Sequence, residues 1–166
     1  MERQAGQMEI THVVHNFEPI YDAQSKILIL GSFPSVKSRE NEFYYGHPMN
    51  RFWRVLSGIY HEEVPVTIPE KKAFLLRNHV ALWDVIASCD IVGSSDSSIK
   101  NVTVNDIAMI KNAAQIEAVY ANGGKAYELF LKYCGKDIIK LPSTSPANAA
   151  WSLERLIETW GNLLHA

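Results

Sequence analysis

Cysteine is scarce in this chain. Two thiols, Cys89 and Cys134, stand among 166 residues, and neither has a CxxC partner or a metal-ligand spacing. That excludes a disulfide framework, and both read as buried thiols of a reducing compartment. Long apolar runs are missing as well. None approaches the roughly 20 residues that cross a bilayer, and the polar opening from Met1 to Ile10 lacks the apolar core of a secretory leader. Positive charge is in short supply. Sixteen Lys and Arg against eighteen Asp and Glu leave a formal charge of −2, which removes any whole-molecule attraction to nucleic acid or anionic lipid. A nucleic-acid site must then rest on a local basic patch. No repeat or linker is visible. What remains is a hydrophobic fraction of 47%, enough to bury the core of one domain spanning residues 1–166. A cytoplasmic enzyme or binding domain is the expectation.

The apolar pattern predicts an α/β fold. Residues 10–25 are irregular, with Val13, Val14, Phe17, Ile20 and Tyr21 as anchors of an N-terminal arm. Lys26 to Phe33 reads as the first strand, its run Ile27 to Leu30 suited to burial on both faces. A decorated loop leads to a helix over Asn50 to Tyr60, where Phe52, Trp53, Leu56, Ile59 and Tyr60 share a face. Thr67 and Glu70 form a capping-box pattern, with Pro69 tolerated in the first turn of a helix to about Asn78. Val80 to Ile86 is a second strand carrying the polar intrusion Asp84, and Gly93 to Ser98 is a loop. Thr103 opens a short helix with Ile107 and Ile110. Ile116 to Ala121 is a third strand, stopped by Asn122-Gly123-Gly124. The following helix has an apolar stripe of Ala126, Leu129, Phe130, Tyr133 and Cys134, closed by Gly135. Ile138 to Leu141 is a fourth strand, and the final helix buries Leu153, Leu156, Ile157, Trp160 and Leu164. Strands alternating with helices predict three layers, α/β/α, around a mostly parallel four-stranded sheet.

Four places could carry chemistry, and each has an ordinary alternative. Gly31-Ser32-Phe33-Pro34-Ser35 is either a simple strand-to-loop turn or a set of small residues that lets backbone amides approach a planar ligand. It has neither the P-loop lysine nor the dinucleotide glycine spacing. Tyr44-Tyr45 lies in a polar loop, and two adjacent aromatics cannot easily face one core. One of them is a candidate stacking platform for a nucleobase. Asn50, after His47-Pro48, is either a helix cap or an amide offering a donor and an acceptor to a lactam edge or a water. Pro142 to Asn148 is either a serine-rich loop in which Ser145 caps a helix starting at Pro146, or a phosphate grip at a helix start. Lys125, beyond another strand's carboxyl end, could add a cation.

In this order, Gly-Ser-Phe-Pro-Ser, Tyr-Tyr-Gly-His-Pro-Met-Asn-Arg-Phe-Trp, Leu-Trp-Asp-Val-Ile and Leu-Pro-Ser-Thr-Ser-Pro-Ala-Asn resemble the motifs of the uracil-DNA glycosylase superfamily. They look most like its hypoxanthine (deoxyinosine) branch. The resemblance spans Lys26 to Trp160. The string His47 to Trp53 also resembles the mismatch-specific uracil branch, but that branch carries a catalytic asparagine in its first motif, where Phe33 stands here. The departure moves the catalytic expectation to Asn50.

The resemblance implies a DNA partner and hydrolysis of an N-glycosidic bond after the nucleotide is flipped from the duplex. It implies a base pocket of Gly31, Ser32, Phe33, Pro34, Ser35, Tyr45 and Asp84, with Tyr45 stacking on the extruded base. Ser38, Lys125, Ser143, Thr144, Ser145 and Pro146 are expected to hold the DNA, helped by charge from Lys37, Arg39, Arg51 and Arg54. No metal and no cofactor are expected, nor a lyase step, since no lysine sits inside the motifs. A monomer is expected. The runner-up readings are a uracil or mismatch-specific glycosylase, and a nucleic-acid-binding domain of this fold without the chemistry.

Overall fold

A computed structural model describes residues 10–14, 17–33, 43–92 and 98–164. Pro34, Ser35, Lys37, Ser38, Arg39 and most of the Gly93 to Ser98 loop lie outside the described residues. Strands β2 (Ile27–Gly31), β3 (Val80–Asp84), β6 (Ala118–Asn122) and β7 (Ile139–Leu141) form a parallel sheet in the order β3-β2-β6-β7. These are the four expected strands, each end within two residues of its expected place, and the third runs one residue further, to Asn122. β2 is central because Leu28, Ile29 and Leu30 have no solvent exposure, as a strand covered on both faces requires.

Five helices occur among the described residues: α1 (Phe52–Tyr60), α2 (Ile68–Arg77), α3 (Ile107–Ala113), α4 (Gly124–Tyr133) and α5 (Leu153–Leu164). The chain leaves β2 towards β3, then reverses past β2 to β6 and β7. Right-handed crossovers therefore send α1 and α2 to one face and α3 and α4 to the other. α5 joins α1, with Ile157 against Gly58 and Trp160 edge-on to Phe52 at 6.0 Å. The three expected layers follow. The capping box is also present: Thr67 Oγ1 accepts from Glu70 N at 3.2 Å and donates to Glu70 Oε1 at 3.0 Å. No helix among the described residues is long and apolar enough to cross a membrane.

Several expectations are corrected. A second, antiparallel sheet, β1 (Thr11–Val14), β4 (Ile86–Ile91) and β5 (Lys100–Val104), pairs in the order β1-β4-β5. Its strands are short, and β1 and β5 are largely exposed, so they carry little apolar signal. Thr103 accordingly lies in β5, and the short helix begins only at Ile107. Val14 is no anchor, being 55% exposed. Cys89 is buried, but Cys134 is exposed and Tyr133 is 42% exposed, because α4 packs through Ala126, Leu129 and Phe130. The last helix starts at Leu153, not Pro146. Ser152 Oγ accepts from Arg155 N at 3.1 Å and caps it, so the loop from Pro142 is not a helix start.

Candidate active site

The parallel order reverses between β2 and β6, and open α/β sheets bind ligands beyond the carboxyl ends of their strands at such a point. A cavity of about 970 Å³ opens there. Gly31 and Asp84 end adjacent strands in register. A Cβ on Gly31 would collide with Asp84 Oδ1 and come within 3.0 Å of Tyr45 Oη. Glycine is thus what allows the Asp84 carboxylate and the Tyr45 hydroxyl to converge over the strand end. Asp84 is 4% exposed, an unusual position for a carboxylate that serves only packing.

The loop before α1 divides its two tyrosines. Tyr44 enters the core, edge-on to Phe17 at 5.1 Å and Phe43 at 5.5 Å, and its hydroxyl donates to Glu18 O at 2.8 Å. Tyr45 takes a left-handed backbone, φ 53°, and lines the cavity. One face of its ring stacks on Phe52 at 4.1 Å. Burial, and then the neighbouring Asp84 charge, raises the Tyr45 pKa above its ordinary value. The phenol therefore stays neutral.

Asn50 makes the capping bond and also lines the cavity. Its Oδ1 accepts from Phe52 N at 2.9 Å, a bond that helps cap α1, and from Thr144 Oγ1 at 2.8 Å. Its amide also lines the cavity. Thr144 is fully buried. Its Oγ1 accepts from Asn122 Nδ2 at 3.0 Å, and its N donates to Asn122 Oδ1 at 3.1 Å. A relay from Asn122 through Thr144 to Asn50 thus joins the end of β6, the loop after β7 and the start of α1. With Oδ1 engaged twice, the Asn50 group left to meet a ligand is the donor Nδ2.

The loop after β7 is held from inside. Arg51 directs its guanidinium onto the carbonyls of Thr144, Ser145, Asn148 and Trp151, with Ser145 O at 2.9 Å and Asn148 O at 3.1 Å. Asn148 Nδ2 donates to Ser143 O at 3.0 Å, and Ser143 Oγ accepts from Ser145 N at 3.1 Å. Gly123, at φ 94°, precedes α4, where a Cβ would press on Ser143 Cβ at 3.0 Å. No side chain caps α4, and its first turn, with Lys125, lies along the cavity beside Lys140.

The match to known proteins follows this geometry. The family model of the uracil DNA glycosylase superfamily matches residues 18–164. The chain belongs to the uracil-DNA glycosylase superfamily. A hypoxanthine DNA glycosylase of Methanosarcina acetivorans is 36% identical over 147 residues, covering 86% of this chain and 93% of that one. One of Methanosarcina barkeri is 37% identical over 136 residues, covering 80% and 86%. Among solved structures, the solution NMR structure of a Methanosarcina acetivorans protein provisionally named a uracil DNA glycosylase superposes with a TM-score of 0.75 at 35% identity. It covers 89% of this chain and 93% of that one.

Set against the superfamily motifs, the structure brings Gly31, Ser32, Phe33, Tyr45, Asn50, Asp84, Lys125 and the Ser143 to Pro146 loop to one cavity. Pro34, Ser35 and Ser38 lie outside the described residues. Arg51, expected to lend positive charge, directs its donors to the protein's own carbonyls and keeps that charge beneath the loop after β7. Among the lining residues that the sequence reading did not select are Asn122 and Lys140. Asn122 was visible only as a strand stop, although an Asn-Gly-Gly at a strand's carboxyl end in an α/β pattern is itself a site signal. Lys140, inside a short strand, gave no signal.

Proposed function

We propose that this protein is a DNA glycosylase that hydrolyses the N-glycosidic bond of deoxyinosine, releasing hypoxanthine and leaving an abasic site. The observation that carries the reading is the fixed amide of Asn50 facing the same cavity as Tyr45 and Asp84 at the sheet's switch point. The substrate assignment is supported by the two Methanosarcina relatives, both named hypoxanthine DNA glycosylases.

A base within a duplex is out of reach of this cavity, so the nucleotide must turn out of the stack. Water then adds at C1′ as the bond to N9 breaks, and the bonding electrons leave with the purine. The added water gives its extra proton to solvent, and the released purine anion takes one up. The sugar passes through an oxocarbenium-like state while negative charge grows on the base. A donor held in advance towards that base stabilises the transition state more than the ground state. Asn50 Nδ2 fills this role. Activating a water would instead require Oδ1 as an acceptor, and Phe52 N and Thr144 Oγ1 already occupy it. Asn50 therefore bonds the departing base. Phe33 and the ring of Tyr45 shape the slot for the purine. Lys125 and Lys140 supply the positive field that the net charge lacks, and the Ser143 to Pro146 loop bears on the DNA backbone.

The test is a set of duplexes carrying one deoxyinosine, one deoxyuridine or one deoxyxanthosine, treated with alkali after incubation. Strand breakage at deoxyinosine only after alkali is the expected result, since a monofunctional glycosylase leaves the backbone intact. An uncut deoxyinosine strand at high enzyme excess would overturn the reading. Tight binding without base release would select a binding domain instead.

A further inference from the structure

The Tyr45 hydroxyl is buried and has no hydrogen-bond partner among the described residues. The Asn122 amide is near enough to favour ionisation slightly, but burial and Asp84 outweigh it. Buried hydroxyls rarely go unpaired, and each one that does calls for an explanation. Here the group is also rigidly placed. Its ring is stacked on Phe52 at 4.1 Å, its backbone is fixed in the left-handed region, and its oxygen sits over Gly31 beside Asp84 Oδ1. A neutral, fixed, unpaired donor on a cavity wall is arranged for an acceptor that arrives with the ligand.

We propose that Tyr45 Oη donates a hydrogen bond to the 6-carbonyl oxygen of the extruded purine, and so separates a lactam base from its amino counterpart. The proposal rests on the glycosylase reading above and adds a specificity determinant to it. Hypoxanthine carries an acceptor at position 6 and a hydrogen on N1. Adenine carries an amino donor at position 6 and a bare N1. Against Tyr45, adenine would set donor against donor and leave a buried group unpaired, the mismatch by which sites reject analogues most strongly. Asp84, converging on the same point, is an acceptor suited to the N1 hydrogen that adenine lacks. Guanine presents the same edge as hypoxanthine. Its three-bond pair with cytosine makes extrusion more costly than for a mispaired lesion.

The bond also strengthens during reaction, because charge entering the departing purine spreads to its 6-oxygen. Removing such a donor lowers rates by about 10²-fold.

The decisive variant is Tyr45→Phe, which keeps the ring on Phe52 and deletes only the hydroxyl. Single-turnover rates are compared on deoxyinosine and on deoxynebularine, the purine with hydrogen at position 6. Where nebularine reacts too slowly to time, dissociation constants for duplexes bearing the 2′-fluorinated nucleosides replace the rates. The expected result is a loss of about 10²-fold on inosine in the rate assay, a far smaller loss on nebularine, and a melting temperature equal to or above wild type. Equal losses on both bases, an undiminished rate on inosine, or a melting temperature lowered by several degrees would overturn the assignment. Wild-type protein that neither binds nor cleaves deoxyinosine DNA would instead remove the glycosylase reading itself.

Discussion

Replacing Thr144 by valine preserves the outline of a fully buried side chain and removes the oxygen that links Asn122 to Asn50. Two hydrogen bonds are lost. The bond to Asn50 Oδ1 contributes about 1 kcal/mol net, and Asn122 Nδ2, partly buried and left without its acceptor, costs about 1–3 kcal/mol. The backbone bonds of Thr144 to Asn122 and Arg51 survive, so the loop keeps its path. The sum is about 2–4 kcal/mol, which for a chain of this length lowers the melting temperature by roughly 5–15 °C. The catalytic effect is separate. Asn50 Oδ1 then keeps only Phe52 N, and its amide gains rotational freedom, so base release should slow at least about 10-fold through lost orientation. Thermal melting and single-turnover release of hypoxanthine measure the two effects. Thr144→Ser retains Oγ, and it should recover most of the rate while losing about 1 kcal/mol for a buried methyl. A valine variant that melts within a degree or two of wild type and cleaves at the same rate would refute the relay.

Asn50→Ala should reduce single-turnover rates about 10²- to 10³-fold and lower stability by about 1 kcal/mol through the lost cap. Full activity in that variant would return Asn50 to a capping role alone. Arg51→Met strips the internal staple from the Thr144 to Trp151 loop, and denaturant unfolding should report a loss of about 3 kcal/mol or more. The exposed neighbouring change Arg54→Ala should stay within about 0.5 kcal/mol. Lys125→Ala and Lys140→Ala, which line the cavity mouth, should each flatten the dependence of log Kobs on log salt by about 0.9 for duplex DNA, measured by anisotropy titration at several salt concentrations. Burial holds the Tyr60 hydroxyl up to about 12, with Tyr120 adding to the effect, and it raises Tyr44 and Tyr45 too. Since the folded values exceed the ordinary 10.0, the resulting stability is complete below pH 10. It is lost as pH rises through the folded values, so the melting temperature should hold to about pH 9.5 and then decline.

The parallel sheet was readable because its information is local. Ile27 to Leu30, Val80 to Asp84 and Ala118 to Ala121 are apolar runs whose burial on two faces writes itself into consecutive residues. The capping box at Thr67 and Glu70 spans four positions, and Tyr44-Tyr45 announced that one ring must leave the core. Even the trimmed strand ends fall within a few residues, where hydrogen-bond pairing rather than composition draws the boundary. The motif residues were equally visible, since the turn after β2 and the Asn50 segment are contiguous strings.

What tertiary structure alone decided concerns polar partners and long-range pairing. The β1–β4 register joins Thr11 to Ile91 and Val14 to Ser88, and β1 is too exposed to show an apolar pattern. Arg51 read only as a source of positive charge, and the fold fastens its guanidinium to four carbonyls of a loop 93 to 100 residues away. Asn122, Thr144 and Asn50 form one relay although Thr144 and Asn50 are separated by 94 residues. That relay engages Asn50 Oδ1 and leaves Nδ2 as the amide atom that a ligand could meet. Burying an apolar side chain requires only that it face inward, and its periodicity along the chain records that. A hydrogen bond requires a particular partner at about 3 Å, and the chain acquires that partner only when the ends of distant strands close around one cavity.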